Sequence, residues 1–198
     1  IDGVEVVASH GYLPAQFINP RVNRRTDGYN GELEQRLRFL REVIAAVRAA
    51  TDEQFIIGLR ISADERDPEG LTEDESLTAV QSLQGQLDYV HIVAGTSASL
   101  GGAVHIVPPM AIEAAYLAKE AGTFKAGLNI PLFVTGRINQ PQEAELILAR
   151  GQADVCGMTR ALICDPQMPN KTDTGHVVVG DARRDADREW IDGRPHDP

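Results

Sequence analysis

His10 and Tyr12 follow directly on the short apolar run Val4 to Ala8. Their chemistry is complementary: a neutral imidazole orients a carbonyl by hydrogen bond, and a phenol hydroxyl delivers a proton to a carbon that has just received hydride. The same pair also suits plain packing under a loop. Arg60 sits in Ile57-Gly58-Leu59-Arg60-Ile61-Ser62, an otherwise apolar segment. A guanidinium there needs an anionic or electron-rich partner, either a bound ligand or a salt bridge to Asp64 or Glu65. Glycine and arginine then recur in Thr135-Gly136-Arg137 and in Gly157-Met158-Thr159-Arg160. Glycine permits close backbone approach and arginine supplies charge, and consecutive loops of this kind cradle a phosphate in βα barrels.

Other features are weaker. The stretch Gly95-Thr96-Ser97-Ala98-Ser99-Leu100-Gly101-Gly102 reads as a loop able to touch a ligand, but it lacks the Gly-Lys-Ser/Thr ending of a nucleotide P-loop. His91 and His105 have no partners at metal-ligand spacing and read as structural histidines. Cys156 and Cys164 form neither a C-x-x-C pair nor a Cys/His cluster, so no metal site is expected, and a reducing, cytoplasmic setting fits them.

Short apolar runs alternating with helical periodicity must position these groups, which is the signature of βα units and a parallel sheet. Strands are expected at Val4 to Ala8, Phe55 to Ile61, Tyr89 to Ala94, Leu132 to Thr135 and Asp154 to Gly157, each nearly all apolar and each running into polar or glycine residues at its C-terminal end. Leu37, Leu40, Val43, Ile44 and Val47 make one helical stripe. Thr72-Glu73-Asp74-Glu75 reads as a capping box opening the next helix, and Pro109 to Ala121 and Pro141 to Arg150 read as helices with proline in the first turn. An α/β fold follows, either an open doubly wound sheet or part of a βα barrel. From His176 onward a mixed-charge run, Gly180 to Glu189, and the ending Arg194-Pro195-His196-Asp197-Pro198 read as a poorly ordered tail.

The 198 residues are 42% hydrophobic and 24% charged, with a net charge of -10, a globular composition without the basic footprint that nucleic acid demands. Nucleic acid is therefore discounted as a partner, and no apolar run approaches the ~20 residues that span a bilayer. The start, Ile1-Asp2-Gly3-Val4, reads as if cut from something longer.

The combined pattern resembles the Old Yellow Enzyme family of FMN-dependent oxidoreductases. The resemblance rests on Asp2-Gly3-Val4-Glu5-Val6, His10-Gly11-Tyr12-Leu13, Gln16-Phe17-Ile18-Asn19-Pro20, Asn23-Arg24-Arg25-Thr26-Asp27-Gly28-Tyr29-Asn30-Gly31, Gly58-Leu59-Arg60, Gly136-Arg137-Ile138-Asn139 and Arg160-Ala161-Leu162-Ile163-Cys164-Asp165-Pro166. It is most similar to the branch of 2,4-dienoyl-CoA reductases and of trimethylamine and dimethylglycine dehydrogenases and demethylases. It implies a TIM barrel, (β/α)8, of which residues 1–175 supply strands four to eight, with 176–198 as a divergent tail. It implies FMN as cofactor, NAD(P)H as electron donor, and a small-molecule substrate that is an activated alkene or a methylated amine. By the same resemblance Tyr12 is the proton donor and His10 the substrate-binding neighbour, Arg60 lies beside the pyrimidine edge of the flavin, and Gly136, Arg137, Gly157, Thr159 and Arg160 form the phosphate loops.

Departures from the family accompany the matches. Val7 stands where many members carry the first histidine of a pair, and the tail has none of the cysteines that hold an iron-sulfur cluster in close relatives. Five βα units would expose two edge strands, so the isolated chain is expected to be marginally stable or to self-associate as a homo-oligomer. A non-catalytic fragment and a flavin-free phosphate-binding βα barrel are the alternatives.

Overall fold

A computed structural model describes residues 1–173. Five parallel strands form one sheet in sequential order: β1 (Gly3–Ala8), β2 (Ile56–Asp64), β3 (Tyr89–Ala94), β4 (Leu132–Thr135) and β5 (Val155–Gly157). Sequential order decides between the two candidate architectures. Right-handed crossovers that always step the same way keep the helices on one face, whereas a doubly wound sheet must reverse direction once. The sheet is an arc of a βα barrel. Among the described residues, β1 and β5 are each paired on one side only.

The connecting helices are α1 (Leu13–Ile18), α2 (Leu33–Ala50), α3 (Glu73–Leu83), α4 (Leu100–Ala103), α5 (Ala118–Gly127), α6 (Pro141–Ala149), α7 (Thr159–Cys164) and α8 (Met168–Asp173). Strand parity separates two environments. Ile57, Leu59, Ile61, Val90, Ile92, Leu132 and Val134 are buried with Leu37, Leu40 and Ile44 of α2, Val80 and Leu83 of α3, and Phe124 of α5. Each such side chain contributes about 1.5–3 kcal/mol relative to exposure. The opposite parity carries Glu5, Arg60, Tyr89, His91, Phe133 and Thr135, which bond or stack with one another across the strands. The helix-covered face of the strands is thus aliphatic, while the inward face is largely polar and aromatic, with Val7 and Val93 among its aliphatic members.

Three expectations need correction. The second strand, expected to stop at Ile61, continues to Asp64 and so places Arg60 inside β2. The helix expected from Pro109 begins only at Ala118. The guanidinium of Arg137 donates to the carbonyls of Pro109 and Ile112, and Ala115, at φ 53, donates its N–H to the Arg137 carbonyl, so the groups that would have closed helical turns are already engaged. At Thr72 only half of the capping box forms: its hydroxyl accepts from the Glu75 N–H, while the Glu75 carboxylate turns away to the buried Arg36. The tail from residue 176 lies outside the described residues. No helix among the described residues is long and apolar enough to cross a membrane.

Candidate functional site

The C-terminal ends of the strands surround a cleft of about 270 Å³. His10 from the end of β1, Arg60 from β2, Thr135, Gly136 and Arg137 from β4, and Thr159 and Arg160 after β5 line it. His105 and Tyr116 complete the wall from the segment between β3 and α5. Six residues that the sequence singles out thus meet in one place. Gly157 pairs with Thr135 just below, and Tyr12 is not among the lining residues. Tyr12 caps the start of α1 with its side chain largely in solvent.

Local backbone geometry aims His10. Its φ is 59 and that of Gly11 is 84, so two successive left-handed residues turn the chain out of β1. A side chain at Gly11 would bring Cβ to 2.1 Å from the Ser97 hydroxyl, so the turn requires glycine. The buried Ser62 hydroxyl accepts from the His10 N–H and donates to the Gly95 carbonyl at 2.8 Å, tying the ends of β1, β2 and β3 together. Arg137 is likewise left-handed, with φ 52. Two of the non-glycine residues held in this costly conformation therefore line the cleft.

Arg60 is anchored from the floor. Its Nε lies 2.7 Å from Glu5 Oε1 and its Nη2 lies 3.2 Å from His91 Nδ1. The salt bridge expected to Asp64 or Glu65 is not the one formed. Those carboxylates serve elsewhere: Asp64 accepts from the Arg66 N–H, and buried Glu65 accepts from Asn19 and the Leu71 N–H. Glu5 also accepts from the Tyr89 hydroxyl at 3.1 Å and contacts His91 Nδ1 at 3.0 Å, while His91 Nε2 lies 2.7 Å from the Thr135 hydroxyl. Burial alone would raise the Glu5 carboxyl, but His91, Arg60 and Tyr89 outweigh it and hold the group below its ordinary value. Burial and the Glu5 charge push the Tyr89 phenol up to about 12.

The glycine-arginine loops prove to be partly self-supporting. A Cβ at Gly157 would lie 2.1 Å from the Thr135 hydroxyl, and one at Gly136 would press on Leu117 and Tyr116 at 3.1–3.2 Å, so packing inside the protein already requires these glycines. Buried Arg137 holds the Pro109 and Ile112 carbonyls, and exposed Arg160 gives one N–H to the Pro108 carbonyl at 3.0 Å. A guanidinium has five donors, so Arg160 keeps most of its capacity for an anion.

Burial and the Arg60 charge depress the His10 imidazole, and burial with Arg66 does the same to His105, so both rings are neutral at neutral pH. The cleft therefore offers neutral hydrogen-bonding imidazoles beside guanidinium groups. Such a set suits a ligand with an anionic end and a polarisable carbonyl-like centre. No group of metal-ligating side chains occurs among the described residues. Tyr116 and Glu5 are given no role by sequence reasoning, and His91 and His105 are read there only as structural histidines, whereas His105 and Tyr116 line the cleft and Glu5 and His91 anchor Arg60. Glu5 and His91 carried a usable signal, being polar residues at the inward parity of apolar strands.

Comparison with known proteins agrees with this geometry. A "Metal reductase" of Desulforamulus reducens is 38% identical over 177 residues, covering 88% of this chain and 26% of that protein. An "NADPH dehydrogenase" of Geobacillus thermodenitrificans is 35% identical, covering 85% of this chain and 47% of that protein. Among solved structures, a 2-naphthoyl-CoA reductase in complex with 2-naphthoyl-CoA superposes with a TM-score of 0.81 at 31% identity, over 88% of this chain and 26% of the other. The chain thus spans from about a quarter to about half of the length of these relatives. The model of the NADH:flavin oxidoreductase / NADH oxidase family matches residues 1–177, and the chain belongs to that family.

Proposed function

We propose that the chain carries the flavin- and substrate-facing part of an FMN-dependent oxidoreductase that passes hydride between NAD(P)H and an activated alkene, or oxidises a methylated amine. The observation that carries this reading is the convergence of His10, Arg60, Gly136, Arg137, Thr159 and Arg160 on one cleft at the C-terminal ends of the strands. In parallel βα folds that end is where ligands bind. The residues present fit the group: Arg160 and the Thr159 hydroxyl suit a terminal phosphate, and Arg60 presents a cationic edge 2.7 Å from its own counter-ion. The cleft of about 270 Å³ is somewhat smaller than most small-molecule sites, and it sits on an arc whose edge strands, among the described residues, are each paired on one side only.

When bound, the flavin would supply the hydride chemistry, and the protein's part is binding, orientation and electrostatics. His10, neutral and locked by its left-handed turn, donates or accepts one hydrogen bond to orient a substrate carbonyl or amine. In this reading Tyr12, exposed at the start of α1, is the proton donor to the substrate. Two cysteines without a disulfide framework, Cys156 and Cys164, fit a reducing, cytoplasmic compartment.

The test is flavin absorbance co-eluting with the purified chain after FMN is added, with Arg160→Ala as control. Retention that the Arg160 change abolishes supports the reading, and it makes ene-reduction and amine-oxidation assays informative. Failure to retain FMN at any concentration assigns the chain to a non-catalytic role.

A further inference from the structure

The inward face of the sheet carries a continuous polar chain of which the proposed chemistry uses only Arg60. It runs Thr135, His91, Glu5, Arg60, with Tyr89 as a side branch, across β4, β3, β1 and β2. Strand register explains how it forms. Arg60 is paired with His91 and with Val7, so Glu5 stands one inward position below Arg60 on the neighbouring strand. Gly58, directly opposite Glu5, carries no side chain and leaves that inward position to the Tyr89 ring.

The Glu5 carboxylate fixes the protons in this chain: His91 Nδ1 lies within reach of both Glu5 and Arg60 Nη2, and the acceptor-only carboxylate requires the proton on Nδ1. With its proton on Nδ1, His91 donates to Glu5 and accepts the Thr135 hydroxyl at Nε2, and Arg60 Nη2, 3.2 Å from Nδ1, is then a neighbour and not a donor to it. Glu5 is then an acceptor for His91 and Tyr89 on Oε2 and the counter-ion of Arg60 on Oε1. Side-chain exposure falls from 36% at Arg60 to 20% at Glu5 and 10% at His91, so the carboxylate and the imidazole sit behind the guanidinium, away from solvent.

We propose that Glu5 and His91 are positioning residues that hold Arg60 in the cleft as a neutralised ion pair, so that Glu5 sets how much positive charge the cleft presents to a bound flavin. This rests on the flavin reading above. Arg60 then acts as a fixed hydrogen-bond donor with an attenuated charge. Glu5→Gln keeps an oxygen for Arg60 while removing the negative charge, and Glu5→Ala removes both. The two variants separate placement from charge.

Reduced flavin is more anionic than oxidised flavin, so the unmasked charge in Glu5→Gln favours it. The ratio of the dissociation constants of oxidised and dithionite-reduced FMN, measured anaerobically, should rise on the order of tenfold over the wild type. A merely structural role predicts no change in that ratio, and an unchanged or lowered ratio in a wild-type-like fold overturns the proposal. The Arg60 Nε–H is buried against Glu5 outside hydrogen-bond geometry and is shielded by the ion pair, so in the flavin-free chain it gives an independent readout by nitrogen-15 NMR. It should exchange slowly in the wild type and in Glu5→Gln and fast in Glu5→Ala; equal exchange in all three overturns the positioning role. Should Glu5→Ala fail to fold, slow exchange in Glu5→Gln is required and fast exchange refutes the placement. A wild-type chain that binds neither form of FMN overturns the charge-setting role together with the flavin reading, and Arg60 exchange still decides positioning.

Discussion

Substituting Gly58 by alanine tests whether the inward face is packed as described. A methyl group at this position would lie 2.0 Å from Cζ of Tyr89 and 2.4–2.5 Å from its two Cε atoms. Ordinary carbon contacts need about 3.5 Å, so the ring must move by roughly 1.5 Å. It is hemmed in, stacked on Phe133 at 4.4 Å with its hydroxyl 3.1 Å from Glu5. Overpacking of this kind costs about 1–3 kcal/mol. The reduced freedom of the unfolded chain returns about 0.4–1 kcal/mol. Gly58→Ala should therefore destabilise by about 1–2 kcal/mol, which lowers the urea midpoint by ~0.5–1 M at a slope near 2 kcal/mol/M. Truncating the ring in the same chain should make the alanine nearly harmless, so the double variant Gly58→Ala, Tyr89→Ala must be strongly non-additive. An unchanged or raised midpoint in the single variant, or simple additivity in the pair, would refute the packing argument.

Further outcomes follow from other contacts. Gly85 has ordinary backbone geometry, and a methyl group added there would meet nothing within 4 Å, so Gly85→Ala should raise the urea midpoint by the equivalent of about 0.4–1 kcal/mol, and a fall contradicts this. Arg137→Ala removes the charged donor that fixes the Pro109 and Ile112 carbonyls, at a cost of about 1.5 kcal/mol or more, and amide exchange at Ile112 should quicken while that of Ile92 does not. Because Glu5 is held below its ordinary value of 4.5, its stabilising contribution is complete above about that pH and is lost as pH falls through the lower folded value. The stability gap between wild type and Glu5→Gln should therefore narrow on acidification from neutral pH to below 4.5, and a gap independent of pH contradicts the assignment.

The strands and the α2 stripe are legible in the sequence because burial on the helix-covered face imposes a simple aliphatic pattern. Cleft residues at the C-terminal strand ends are legible for the same reason, since polar and glycine residues interrupt that pattern where the strands stop. The partner of Arg60 is not: Asp64 and Glu65 are near in sequence, but strand register brings Glu5, 55 positions away, to its Nε. The segment after Pro109 carries a helical period, yet Arg137 and its carbonyl capture the backbone groups such a helix needs. Tyr116 enters the cleft on that segment and His105 just before it, so no local pattern announced them.

The most direct test of the cleft as a flavin site is a nitrogen-15 NMR titration of the chain with FMN. The account predicts saturable shifts concentrated at His10, Arg60, Gly136, Thr159 and Arg160, with α2 and α3 unmoved. Shifts scattered over the surface, or none at these residues at saturating FMN, would contradict it.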